Sequence, residues 1–183
     1  MKRIIIIHGW EGSPRNNWLP WLKSELEKLG QEVLVPDMPD TDNPIIERWV
    51  NYLSKVVGTP DKNTYLIGHS IGCQAVLRYL ETIKKSVGGA IFVSGWFDLS
   101  VDNEEEEKIA KPWVETPIDF NKVKSVLPKS TLIISDNDPH GGFEENKKKF
   151  EELGSRIVVL HNAEHITEAN EPAILSEFLS LTK

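Results

Sequence analysis

Six short runs along this chain are apolar at nearly every position: Arg3 to Ile7, Glu32 to Val35, Thr64 to Ile67, Ala90 to Ser94, Thr131 to Ser135 and Arg156 to Leu160. A strand with one wet face alternates apolar and polar residues, whereas a strand covered on both faces has no polar side to show. These runs therefore predict a parallel sheet sandwiched between helices. Segments with helical spacing lie between them, at Trp18 to Leu29, Pro44 to Val57, Ile71 to Ile83, Glu144 to Leu153 and Glu171 to Leu181. Gly30 and Gly154 follow two of these where a left-handed cap is wanted, and Pro172 sits near the start of the last. Strand–helix alternation with right-handed crossovers gives an α/β fold, with a doubly wound, mainly parallel six-stranded sheet in one domain over residues 1–183. The rhythm breaks at Phe97 to Val126, which holds the acidic run Glu104 to Glu107 and then Pro112, Trp113 and Pro117. This segment is expected to be a surface excursion after the fourth strand, with one short helix near Asn121 to Val126.

Charge and cysteine content narrow the function classes. A net charge of −7 gives no positive field for nucleic acid or an anionic membrane surface, so neither is expected as a partner. The run Ile4 to Ile7 near the start is too short for a signal-peptide core, and the expectation is a cytoplasmic protein. Cys73 is the only cysteine, which excludes an internal disulfide and a multi-thiolate metal site.

The third apolar run leads directly into Gly68-His69-Ser70-Ile71-Gly72 and then a helical segment. A strand-to-helix reversal this tight strains the serine backbone, lifts its hydroxyl to the carboxyl edge of the sheet and aims the Ile71 N–H at a helix N-terminus. Ser70 is the candidate nucleophile; the plain alternative is that it merely caps the helix. The first run ends in His8-Gly9-Trp10-Glu11-Gly12-Ser13 at the same edge, and the Trp10 N–H is the candidate partner of Ile71 in an oxyanion hole. Neither the dinucleotide glycine pattern nor the P-loop lysine occurs, and His8 is read as a structural histidine.

An activated serine needs a base and an acid that orients it, following in that order of serine, acid, histidine along a sheet of this kind. The fifth run opens into Asp136-Asn137-Asp138-Pro139-His140 and the sixth into His161-Asn162-Ala163-Glu164-His165. His165, several residues past its strand, can swing back over the edge, while His161 abuts the strand. Asp138, locked by Pro139, is preferred to Asp136, which would bond its own loop backbone; Asp98 remains a third candidate. A metal site from His161, His165 and Glu168 would need helical spacing in what reads as a loop, so no metal or cofactor is expected. His69, Trp96 and Phe97, with Trp113, are candidates for a substrate pocket, the alternative for the tryptophans being packing. Cys73 is read as a small core residue.

With these pieces assembled, the sequence resembles the small serine hydrolases of the retinoblastoma-binding-protein-nine type, a compact branch of the α/β-hydrolases. The resemblance runs through His8-Gly9-Trp10 with Gly12-Ser13, the Gly68 to Gly72 turn, Asn137-Asp138-Pro139 and His165. It implies a compact fold with little or no lid and places a triad on Ser70, Asp138 and His165. The implied activity is acyl transfer on a small ester, thioester or amide; the alternative is a non-catalytic binding or scaffold protein on the same fold. Two positions depart from the family pattern: Glu164, where relatives carry Gly, and His140-Gly141-Gly142, where a hydrophobic residue and Pro are usual. Nothing in the sequence speaks to oligomeric state.

Overall fold

The expected strands form, and the alternation of their side chains explains why the runs lack a polar face. In a computed structural model that describes residues 1–183, the strands are β1 (Arg3–Ile7), β2 (Glu32–Leu34), β3 (Thr64–His69), β4 (Gly89–Val93), β5 (Ser130–Ser135) and β6 (Arg156–Leu160). The helices are α1 (Leu19–Lys28), α2 (Ile46–Val57), α3 (Ile71–Thr82), α4 (Glu104–Glu115), α5 (Phe120–Val126), α6 (Phe143–Leu153) and α7 (Pro172–Leu181). The sheet order is β2-β1-β3-β4-β5-β6 and every neighbouring pair is parallel. Ile4 and Ile6 of β1 pack with Trp18 and Phe178 on the α1/α7 side. Ile5 and Ile7 pack with Trp49, Tyr79 and Phe150 on the side of α2, α3 and α6. Strands β1 and β3 to β6 therefore spend alternate residues on two different cores, and a polar residue in either set needs a buried partner, as Ser130 finds in Ser155 (2.7 Å).

The chain starts one strand in from an edge of the sheet, winds outward to β2, and then returns past β1 to lay down β3 and the rest. The switch point lies between β1 and β3, where the loops leaving the carboxyl ends diverge and open a crevice. The β1–β3 register sets Ile7 opposite Gly68, and the β3–β4 register sets His69 opposite Val93, so the ends of three strands come level there. The caps at Gly30 and Gly154 adopt the expected positive φ (74° and 93°), and Pro172 opens α7.

The segment after β4 differs from expectation. Its acidic run is the first turn of α4, a helix of 12 residues rather than a loose excursion. Asn103 caps it, its Oδ1 accepting from the N–H groups of Glu105 (3.1 Å) and Glu106 (3.0 Å), and Glu106 reaches back to accept from the Asp102 N–H (3.1 Å). Four glutamates at the positive end of a helix dipole suit that position. Pro112 lies in the helix near its end, where it forfeits one backbone bond without stopping the turn. Trp113 anchors the segment: it is buried, donates from Nε1 to the Pro44 carbonyl (2.9 Å) and stands edge-on to Trp49. Buried Arg78 of α3 donates to the Trp113 and Thr116 carbonyls, both at 2.8 Å. Trp113 is thus packing, not pocket. No helix of the chain is long and apolar enough to cross a membrane.

Trp113→Ala should remove this anchor and lower the unfolding free energy by about 3–5 kcal/mol, read from the urea midpoint at constant m-value. A loss within about half a kcal/mol, the range of ordinary surface changes, would mean the segment is not held by its indole.

Candidate active site

The turn between β3 and α3 is built on close backbone approach. Ser70 has φ 53° and ψ −123°, a conformation that costs a non-glycine residue about 1–3 kcal/mol. Its N–H donates to the Val93 carbonyl (2.9 Å) and its own carbonyl accepts from the Cys73 N–H (2.9 Å), so both strand and helix hold it there. A Cβ at Gly72 would lie 2.5 Å from the Ile7 carbonyl oxygen, and one at Gly68 would lie 2.7 Å from the Cys73 nitrogen. Only glycine fits at either position. Ser70 therefore does not serve as an ordinary cap: its side chain makes no hydrogen bond to the helix it precedes. Cys73 is fully buried, donates its thiol to the Gly68 carbonyl, and has its pKa raised by burial, which suits core packing.

The β5 and β6 loops present His165 to this turn. His165 Nδ1 lies 2.7 Å from Asp138 Oδ2, with both side chains largely buried, and the other Asp138 oxygen accepts from the His140 N–H (3.0 Å). The remaining acid candidates are used elsewhere. Asp98 accepts from the Gly142 N–H (3.1 Å) and steadies the loop into α6. Asp136 pairs with exposed His161 (2.5 Å) and accepts from the Asn162 N–H (2.9 Å). The Asn162 bond and the His161 pair hold the Asp136 carboxyl below its ordinary pKa. Asp136 thus bonds the neighbouring loop rather than its own. Residues 161–170 contain no helix, so His161, His165 and Glu168 do not share a helical face.

Several supporting residues escaped the sequence. Ser135 Oγ accepts from the Ala163 N–H (3.0 Å) and Asn137 Oδ1 from the Glu164 N–H (2.9 Å), so with the Asn162–Asp136 bond three consecutive amides of the β6 loop dock on Ser135, Asp136 and Asn137 at the end of β5. The His165 carbonyl accepts from His69 Nε2 (3.1 Å) and Ser94 Oγ (3.0 Å). Asn162, Glu164 and Ile166 all have positive φ (55°, 49° and 52°), so Glu164 takes the conformation that a glycine would hold without strain. The one available signal was the polar run Ser135 to Asp138, which begins on the last residue of an apolar strand.

Two neighbouring histidines are fixed and neutral. His8 donates from Nδ1 to the Gly9 carbonyl (2.8 Å) and accepts at Nε2 from the Met38 N–H (3.0 Å). Burial lowers its pKa despite the Gly9 bond and nearby Asp37. His69 is buried against Trp18, and burial, with His165 beside it, pushes its pKa down to about 3. Both rings support the loops.

Together these groups enclose a cleft of about 340 Å³ whose wall includes Ser70, His165, His69, Trp10, Ile71 and Trp96. Neither the Trp10 nor the Ile71 N–H has a backbone acceptor. Phe97, expected in the pocket, is absent from the wall: its ring packs on Phe120 and Phe150, which draw it into the core on the α5/α6 side. Ser70 and His165 share the cleft without a hydrogen bond between them, a looseness common in free enzymes.

The model of a family described as serine hydrolase matches residues 4–173. The chain belongs to this family. This serine hydrolase is 31% identical over 169 residues to the YdeN protein of Bacillus subtilis (strain 168), covering 91% of this chain and 87% of that one. It is 29% identical over 174 residues to the serine hydrolase RBBP9 of Rattus norvegicus, covering 91% and 84%. The crystal structure of the B. subtilis ydeN gene product superposes with a TM-score of 0.90 at 27% identity, covering 99% of this chain and 98% of that one. The family and the fold, an α/β-hydrolase sheet, are those that the sequence resembles.

The neutral histidines make stability pH-dependent. The folded pKa of His69 lies below its ordinary value of 6.5, so below that pH the unfolded chain takes up a proton that the folded chain refuses. Stability is fully present above pH 6.5 and is lost as pH falls toward about 3. The loss approaches about 1.4 kcal/mol per pH unit for one such group, and His8 adds in the same direction. Denaturant midpoints at pH 7, 6 and 5 should fall steadily, and His69→Gln should flatten the slope; an unchanged slope in that variant would contradict the assignment.

Proposed function

We propose that this serine hydrolase cleaves a small ester, thioester or amide by acyl transfer, with Ser70 as nucleophile, His165 as general base and Asp138 as the acid that orients it. The observation that carries this is the 2.7 Å bond from Asp138 to Nδ1 of His165, whose ring lines the same cleft as strained Ser70. With Nδ1–H donated to Asp138, the free Nε2 of His165 faces its task with the right tautomer. It takes the Ser70 proton as Oγ attacks the carbonyl carbon, then returns it to the leaving alcohol, thiol or amine; a water molecule repeats the sequence on the acyl-enzyme. The Trp10 and Ile71 N–H groups, lacking other acceptors, stabilise the oxyanion, a contribution of about 3 kcal/mol for one donor. The substrate is a small molecule that fits a cleft of about 340 Å³.

A fluorophosphonate probe should label the wild-type protein at Ser70, and Ser70→Ala should lose labelling together with turnover of short p-nitrophenyl esters. A folded wild-type protein that neither labels nor turns over would instead support a binding protein on a hydrolase fold.

The two carboxylates separate the assignment further. Asp138→Asn should lower kcat by about a thousandfold or more, since the imidazole loses the partner that sets its tautomer. Asp136→Asn, one loop contact away, should cost no more than about tenfold. The reverse order would move the acid to Asp136.

A further inference from the structure

We infer that the cleft is selective for acyl donors bearing an ammonium group; this rests on the acyl-transfer assignment above and names its substrate class. Besides its histidines, the cleft wall carries three ionisable residues, Glu11, Asp102 and Glu106, and no lysine or arginine. The sheet order explains their placement. Glu11 leaves β1 and Asp102 and Glu106 follow β4, the strands on either side of β3, so carboxylates flank the Ser70 turn from both sides. No basic residue pairs with any of them, and Arg15, the nearest cation in sequence to the β1 loop, is outside the wall.

Outside the oxyanion hole proposed at the start of α3, which serves the reacting carbonyl, the wall feature that could favour an anion is the N-terminus of α4, and it is closed. Asn103 accepts its first free N–H groups, Glu106 accepts from Asp102, and four glutamates occupy its first turn. Four full negative charges outweigh a helix-end partial charge of about one half. His8 and His69 in the wall are neutral by burial and supply no counter-charge.

A second, independent observation is the aromatic content of the same wall. Trp10 and Trp96 both line it, and an indole face attracts an ammonium group more strongly than any other side-chain ring. Trp96 is 3% exposed and its buried Nε1–H has no acceptor in the protein, an unmet donor in a residue of the cleft wall. Carboxylates with indoles and no lysine or arginine beside them make a receptor for an alkylammonium, and a low-dielectric cleft concentrates their field.

The test uses three p-nitrophenyl esters: of γ-trimethylammoniobutyrate, of its uncharged tert-butyl isostere, and of glutarate. At low salt kcat/KM should be about tenfold higher or more for the cationic ester than for the isostere. The glutarate ester should be slowest, and the preference should shrink as half-molar salt screens the wall. Glu11→Gln and Asp102→Asn should each lower the cationic-to-neutral ratio by about threefold. A ratio of one or below in the wild type, or an unchanged ratio in both variants, overturns the inference while leaving hydrolysis intact. Calorimetric titration of Ser70→Ala protein with the same esters reads binding without chemistry. Tighter binding of the cationic ester supports the inference even if turnover fails, and equal binding of both esters overturns it.

Discussion

Gly72 lies against the carbonyls of Ile7 and His8, where a Cβ would sit 2.5 Å and 2.8 Å from their oxygens. That contact sets how near α3 can come to β1, and hence where Ser70 stands relative to the loop carrying Trp10. Ser70 keeps a positive φ because its N–H is tied to Val93 and its carbonyl to Cys73, while Gly68 leaves no room for the turn to relax outward. The strain of about 1–3 kcal/mol is small beside the burial of α3, which is buried along ten consecutive residues from Ile71 to Leu80. A helix with no wet face can hold a strained residue at its end, since any movement of the turn would uncover the whole helix.

The second half of the site depends on two loops gripping each other. Past β5 and β6 the backbones diverge, yet Asp136, Ser135 and Asn137 take the amides of Asn162, Ala163 and Glu164 in turn. The β5–β6 register, with Ser135 opposite Leu160, leads straight to the Asp136–His161 pair. Reaching the next pair takes two residues on one side and four on the other. The three left-handed residues at 162, 164 and 166 absorb that difference, so Asp138 and His165 meet as well. Two His–Asp pairs thus stand side by side, one exposed and one nearly buried. Burial separates them: the Asp138 pair is shielded from water and faces Ser70, while the Asp136 pair holds the loop.

Much of this was legible in the sequence because it rests on short-range rules. Continuous apolar runs specified a sheet covered on both faces, and a serine between a strand and a helix, flanked by glycines, specified the turn. Asp138 emerged over Asp136 from turn chemistry, although Asp136 bonds the neighbouring loop and not its own. What escaped depends on direction and on distant partners. Trp96 and Phe97 are adjacent, yet only Trp96 lines the cleft, because Phe97 packs on Phe120 and Phe150, partners far along the chain. His69 lies in the wall, but its ring is committed to the carbonyl of a residue 96 positions away. The helix α4 was hidden because prolines and a charge run ordinarily mark loops, and only the Asn103–Glu106 spacing hinted at its cap.

That missed helix bears on the cleft. Like charges at neighbouring helical positions repel, and Glu104 to Glu107 would weaken a helix anywhere but in its first turn. At the first turn the dipole offsets the repulsion, and Glu106 gains bonds to the Asp102 N–H and the Asn103 amide. Of the three carboxylates that border the cleft, that of Glu106 is therefore immobilised by the same bonds that start the helix. A free surface glutamate would reorient and lose rotamer freedom on meeting a ligand, whereas this one has already lost it in folding. The α4 side of the negative wall beside Ser70 is thus a by-product of capping, and Trp113, buried at the far end of α4, keeps that side from swinging away.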